Sequence, residues 1–238
     1  MAMASLDDVG DDSSSDGEPE IGLGALRPEA LAALAAYRSE REVKESSGDH
    51  EDFGLSQFWY SDAFSDDVAA ALRTARPTGR IAVVSCPSVH KALLRRDAND
   101  DSVLFEYDER LGARLRPEQF VRYDYNDEPW ETAAREGGAA AGSYDFVVLD
   151  PPYVSEACVT RFWAFAAHLS AGAVKDSALF FTSVVNRNWL ATKLEPRSLR
   201  LTNIPLGFAS KLSTPLRAFT NDAALGANLQ GFAPPDED

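Results

Sequence analysis

The run Asp145-Phe146-Val147-Val148-Leu149-Asp150-Pro151-Pro152-Tyr153 constrains the fold more than any other stretch. Four apolar residues, two of them β-branched, continue without polar interruption into an acid. Such a run reads as a strand buried on both faces, as in parallel α/β sheets. The two prolines end it, because each lacks an N–H and has φ fixed near about −65°. Asp150, preceding a proline, is held extended. A carboxylate, the carbonyls of a rigid Pro151-Pro152 turn and the Tyr153 ring therefore gather at the C-terminal edge of a strand. In open α/β sheets that edge is where ligands bind.

Other apolar runs alternate with helical patterns. Strands are predicted at Arg80–Ser85, Ser102–Glu106, Gln119–Tyr123 and Ser177–Ser183, with two more near Ser198–Leu201 and Leu216–Thr220. Helices are predicted from Pro28 to Val43, from Ser65 (as N-cap) to Arg76, from Val89 to Arg96, from Ser155 through Phe165, and from Asn186 to Leu194. Gly137 to Gly142 reads as a flexible connection, and His168 as a helix-dipole partner rather than a base. The alternation gives a Rossmann-like α/β fold, a mostly parallel sheet with helices on both faces.

Charge narrows the partners. The chain carries −15 overall; residues 1–20 hold seven acidic side chains and no basic one, so the body still carries −8. Binding to a phosphate backbone leans on Lys and Arg, so this balance suits a basic protein better than nucleic acid. The domains expected are a disordered acidic tail over 1–26, a helix and linker over 27–52, a catalytic domain over 53–225 and a C-terminal tail over 226–238. Cys86 and Cys158 have no disulfide or metal-site spacing, and no metal is expected. There is no leader-like N-terminus and no apolar run long enough to span a bilayer, so a cytoplasmic protein, expected as a monomer, is the reading.

Several residues are candidates for a site. Glu106 falls 21 residues past Ser85, close to the spacing of about 20 at which an acid grips ribose hydroxyls, with Asp108 as the alternative. The turn Ser85-Cys86-Pro87-Ser88 has no glycine, which argues against a pyrophosphate. Asp124 and Asn126 read as turn formers after the third strand, with Asp124 also a candidate site acid. Leu55-Ser56-Gln57-Phe58-Trp59-Tyr60-Ser61 packs three consecutive aromatics, as a core lid or as a cofactor wall.

Asp150-Pro151-Pro152-Tyr153 is similar to the signature of amino-group methyltransferases. With Leu55–Ser61, the Ser85-Cys86-Pro87-Ser88 loop and Phe105-Glu106-Tyr107-Asp108, the chain from about Arg27 to Asn221 resembles the lysine methyltransferases of eukaryotic translation elongation factor 1-alpha. Members of that family are also labelled N6-adenine-specific DNA methyltransferase-like. The resemblance implies a seven-strand S-adenosylmethionine-dependent methyltransferase fold with an antiparallel edge strand. It implies Asp150, Pro151, Pro152 and Tyr153 around the reacting amine, and Trp59, Tyr60, Ser85, Pro87, Glu106 and Asp124 around S-adenosylmethionine. The substrate implied is elongation factor 1-alpha. The tetrapeptide also suits an adenine amine, and Thr214-Pro215-Leu216 replaces the family's Asn-Glu-Phe, which leaves an adenine methyltransferase or a non-catalytic module as alternatives.

Overall fold

The computed structural model describes residues 51–55, 57–127, 142–153, 155–170, 177–186, 190, 199–209 and 215–234, together with Ala32, Ala35 and Ser39. The chain divides into two units, Met1–Val43 and Lys44–Asp238. In the first, the three described residues are helical. The rest of the predicted Pro28–Val43 helix lies outside the described residues. So do the acidic tail, most of the Gly137–Gly142 connection, and the Asn186–Leu194 helix apart from Asn186 and Leu190.

In the second unit the elements are α1 (Asp62–Ala75), β1 (Ile81–Val84), α2 (Pro87–Arg96), β2 (Val103–Glu106), β3 (Phe120–Arg122), β4 (Phe146–Leu149), α3 (Glu156–Leu169), β5 (Ala178–Ser183), β6 (Arg200–Leu201), β7 (Leu216–Thr220) and α4 (Ala223–Asn228). They form one seven-stranded sheet in the order β3-β2-β1-β4-β5-β7-β6. Strands β1 to β5 pair in parallel, while β7 runs antiparallel to β5 and to β6. The antiparallel strand is therefore internal, and the two-residue β6 is the edge. This corrects the expectation of an antiparallel edge strand. Pro215 stands just before β7, where its missing N–H costs the ladder nothing.

The unbroken apolar runs follow from this layering. On one face Val84, Phe105, Val147 and Phe180 pack with Val159, Phe162 and Phe165 of α3. On the other, Ile81, Val83, Leu104, Val148 and Phe181 meet Val68 and Leu72 of α1 and Val89 and Leu93 of α2. Alternate residues of each strand go to opposite faces, so a two-sided core needs apolar side chains at every position.

Helix α2 opens at Pro87 rather than Val89 and α3 runs on past Phe165 to Leu169, and two larger differences have a packing cause. Helix α1 starts at Asp62, capped by Ser61 Oγ, which accepts from the Phe64 amide at 3.3 Å. Phe64 lies on the buried stripe of Val68 and Leu72 and draws the helix back by a turn; Ser65 is an interior residue. The domain does not end at 225 either. Helix α4 crosses that point, Leu225 and Leu229 are buried, and the chain returns so that the Ala233 amide donates to the Leu201 carbonyl at 2.9 Å.

Candidate active site

The strand order turns between β1 and β4, where parallel sheets open a crevice beyond their C-terminal ends. A cavity of about 270 Å³ lies there, floored by the ends of β1, β2, β3 and β4 and covered by the segment Gly54–Tyr60. Asp150, Pro151, Pro152, Tyr153, Trp59, Tyr60, Ser85, Pro87, Glu106 and Asp124 all line it. Residues distant in sequence thus converge on one chamber.

Ser85 leaves β1 with φ +55°, a left-handed conformation that glycine ordinarily supplies at such turns. Its amide donates to the Phe105 carbonyl at 2.8 Å. Pro87 then opens α2, where no amide partner is needed. The Ser88 hydroxyl accepts from the Tyr60 amide at 3.2 Å, tying the covering segment to α2.

Tyr60 is buried, with its ring about 5 Å from those of Phe64, Phe181 and Phe208. Its hydroxyl donates to Asp150 Oδ1 at 3.1 Å. Beyond walling the cavity, it fixes the acid. The Cys86 thiol also hydrogen-bonds to that carboxyl, and burial keeps the thiol protonated and able to donate. Burial raises Asp150 from the usual carboxylate range to about 8, against the lowering effect of these two hydrogen bonds. This favours the protonated acid near neutral pH.

Glu106 ends β2 with Oε1 accepting from the Tyr107 and Asp108 amides at 2.9 and 3.2 Å. Burial still raises it to about 7. Asp108 is outside the cavity. Gln57 Nε2 donates to it at 3.0 Å and the Arg110 guanidinium at 2.7 and 2.8 Å, so it anchors the covering segment instead. Asp124 closes a turn by accepting from the Asn126 amide at 2.8 Å while lining the cavity. Trp59 lies under Lys91, whose ammonium is 4.0 Å from the ring centroid. Tyr153 is half exposed at the mouth, and Leu216, the first residue of β7, also reaches the wall.

Ser88 and Tyr107 line the cavity and Cys86 acts on Asp150 from the β1–α2 turn, although the sequence alone gives none of them a role. Only their adjacency to Ser85, Pro87 and Glu106 could have signalled them. The chemistry of the wall is one-sided. Among the described lining residues are three carboxyls and seven aromatic rings, with no Lys, Arg or His.

Comparison with known proteins agrees with this geometry. Residues 51–223 match the family model described as probable N6-adenine methyltransferase. The "EEF1A lysine methyltransferase 1" of Bos taurus is 40% identical over 162 residues, 63% of this chain and 67% of that protein. Its Homo sapiens counterpart is 35% identical over 160 residues, 63% and 72% of the two chains. A "Protein-lysine N-methyltransferase" of Dictyostelium discoideum is 35% identical over 142 residues, 57% of this chain and 64% of that one. With the family model matched across the whole sheet, from the covering segment to the end of β7, the chain belongs to this family of methyltransferases.

Proposed function

We propose that this chain methylates lysine side chains of translation elongation factor 1-alpha, using S-adenosylmethionine as the methyl donor. The cavity wall carries the proposal: its described residues, three carboxyls and seven aromatics without a basic side chain, suit cations rather than phosphates. The similar bovine and human proteins are named for the same substrate. An adenine within nucleic acid would bring phosphates to a body carrying −8, which disfavours that alternative.

The residues present fit the donor. The Ser85-Cys86-Pro87-Ser88 turn has no glycine cradle for phosphate, and S-adenosylmethionine has no phosphate to hold. Glu106 stands at the second strand end with Oε1 on two backbone amides, which leaves Oε2 for ribose hydroxyls. Asp124, which lines the cavity, would accept from the adenine amino group. When bound, the donor supplies an activated methyl group on a positively charged sulfur.

The protein's part is orientation and charge. Asp150, fixed by Tyr60 and Cys86, and a carbonyl of the Pro151-Pro152 turn accept hydrogen bonds from the lysine amine and aim its lone pair into the cavity. Alignment of this kind contributes on the order of 7–11 kcal/mol in well-oriented reactions. The lysine must shed a proton before it can attack; an ionised Asp150 would hold the ammonium, while burial and the positive sulfur beside it favour the neutral amine. That proton leaves to water at the open mouth. Tyr153, half exposed there, presents its ring to the methylated ammonium as it departs.

Incubation with radiolabelled S-adenosylmethionine and elongation factor 1-alpha tests this directly. Label is expected on the factor with the wild-type chain and not with Asp150→Ala, while the variant still binds the donor. Equal labelling by both chains would remove Asp150 from the reaction.

A further inference from the structure

Among the described residues Asp150 meets two neutral partners, the Tyr60 hydroxyl from the covering segment and the Cys86 thiol from the β1–α2 turn. The charged groups sharing its chamber are Glu106 at the end of β2 and Asp124 after β3, both acids. Tyr107, Tyr123, Tyr125 and its own neighbour Tyr153 complete the titratable wall. Cations on the surrounding elements are engaged elsewhere. Arg110 pairs with Asp108 and Asp52, and Arg122 with Glu109 and Asp127. Arg161 donates to the Tyr125 carbonyl and Asn126, and Lys91 covers Trp59. Among the described residues the chamber therefore has acidic groups and no side-chain cation to balance them.

We propose that Asp150 is the charge gauge of this cavity: it holds a proton while no cation is present, yields it to solvent when a sulfonium or ammonium enters, and keeps it when an uncharged thioether fills the same space. The inference rests on the methyl-donor reading above and deepens it. An ionised carboxylate in a buried chamber is costly unless an opposite charge accompanies it. An opposite charge within about 4–6 Å lowers a carboxyl's proton affinity strongly. Starting from about 8, Asp150 then ionises at neutral pH. No bond other than the carboxyl O–H breaks, and the proton passes to buffer. When the methylated ammonium leaves, Asp150 takes a proton back, so the gauge is reset and the one net proton of the reaction is the lysine's.

This gives the cavity a way to tell donor from spent donor. S-adenosylmethionine and S-adenosylhomocysteine differ by one methyl group and one positive charge. Glu106 shares the chamber and is electrostatically coupled to Asp150, so the expelled proton is assigned to Asp150 by its disappearance in Asp150→Asn. Raising the pH toward 8 strengthens binding of neither ligand through a new contact. It removes the cost of expelling the proton, and does so for the cationic ligand alone.

Titration calorimetry on the full chain, at pH 7 in buffers of different ionisation enthalpy, counts the protons exchanged. S-adenosylmethionine is expected to release about one proton more than S-adenosylhomocysteine. In Asp150→Asn both ligands should still bind and the difference should vanish. In Tyr60→Phe, which removes a hydrogen bond favouring the carboxylate, the pH at which the difference is half-maximal should rise. Equal proton counts in the wild type, or a difference surviving in Asp150→Asn, would overturn the gauge while leaving the donor reading standing. If neither ligand binds the wild type, the donor reading falls and the gauge with it.

Discussion

The Tyr60 hydroxyl donates to Asp150 Oδ1 at 3.1 Å, joining residues 90 positions apart. The covering segment thereby reaches the carboxyl at the centre of the site. Tyr60→Phe keeps the ring among Phe64, Phe181 and Phe208 and deletes only the hydrogen bond. That bond favours the ionised acid, so its loss pushes Asp150 further up. The acid limb of the pH–activity profile should move to higher pH, with activity at pH 7 down roughly tenfold and largely recovered at pH 9. An unmoved profile would show that Tyr60 serves packing alone.

Asp150 also weakens the empty protein. Its folded value is about 8 against an ordinary 3.8, so between those pH values the folded chain holds a proton that the unfolded chain has lost. This stability is fully present below about pH 4 and is lost as the pH rises to about 8. Asp150→Asn should melt higher than the wild type without ligand, by a margin that widens from pH 5 to pH 8. A constant margin across that range would contradict the raised carboxyl.

His90 has the opposite sign. It is fully buried on α2, with Nε2 donating to the Ser102 carbonyl at 3.3 Å, and burial lowers it from 6.5 to about 4. The neutral ring is stabilising above about pH 6.5, and that contribution is lost as pH falls toward 4. Denaturant unfolding at pH 7 and pH 4.5 should show a smaller acid loss for His90→Gln than for the wild type. An equal loss in both would place the acid sensitivity elsewhere.

The C-terminal return depends on one missing side chain. A Cβ on Gly226 of α4 would collide with the Phe232 ring, whose face carries the Arg200 guanidinium at 3.8 Å. Gly226→Ala should cost about 1–3 kcal/mol despite its better helix propensity, as overpacking usually does. An unchanged melting temperature would mean that the return is dispensable to the domain.

The sheet was legible where local pattern and tertiary demand coincide. Phe146–Leu149 and Ile81–Val84 are apolar at every position because both faces are covered, and their acids and turns fall at the strand ends. Glu106 could be placed by spacing for the same reason. Contacts made by remote partners were hidden. Nothing near Tyr60 announces Asp150, and nothing near Leu216 says that β7 will sit between β5 and β6, because those pairings are decided by the whole sheet. Ser85 could not be read as left-handed, since the sequence-level cue for that geometry is a glycine. Ser61 rather than Ser65 caps α1 because Phe64 belongs to the buried stripe of that helix, a placement that only the packing of the whole domain decides.

The substrate is the point on which the functional reading turns, and one mixed incubation decides it. The full chain, unlabelled S-adenosylmethionine, elongation factor 1-alpha and double-stranded DNA are combined in one tube, and both polymers are then analysed by mass spectrometry. The expected result is one or more methyl groups on a lysine of the factor, absent with Asp150→Ala, and unmodified adenine throughout the DNA. Methylated adenine beside an unmodified factor would contradict it.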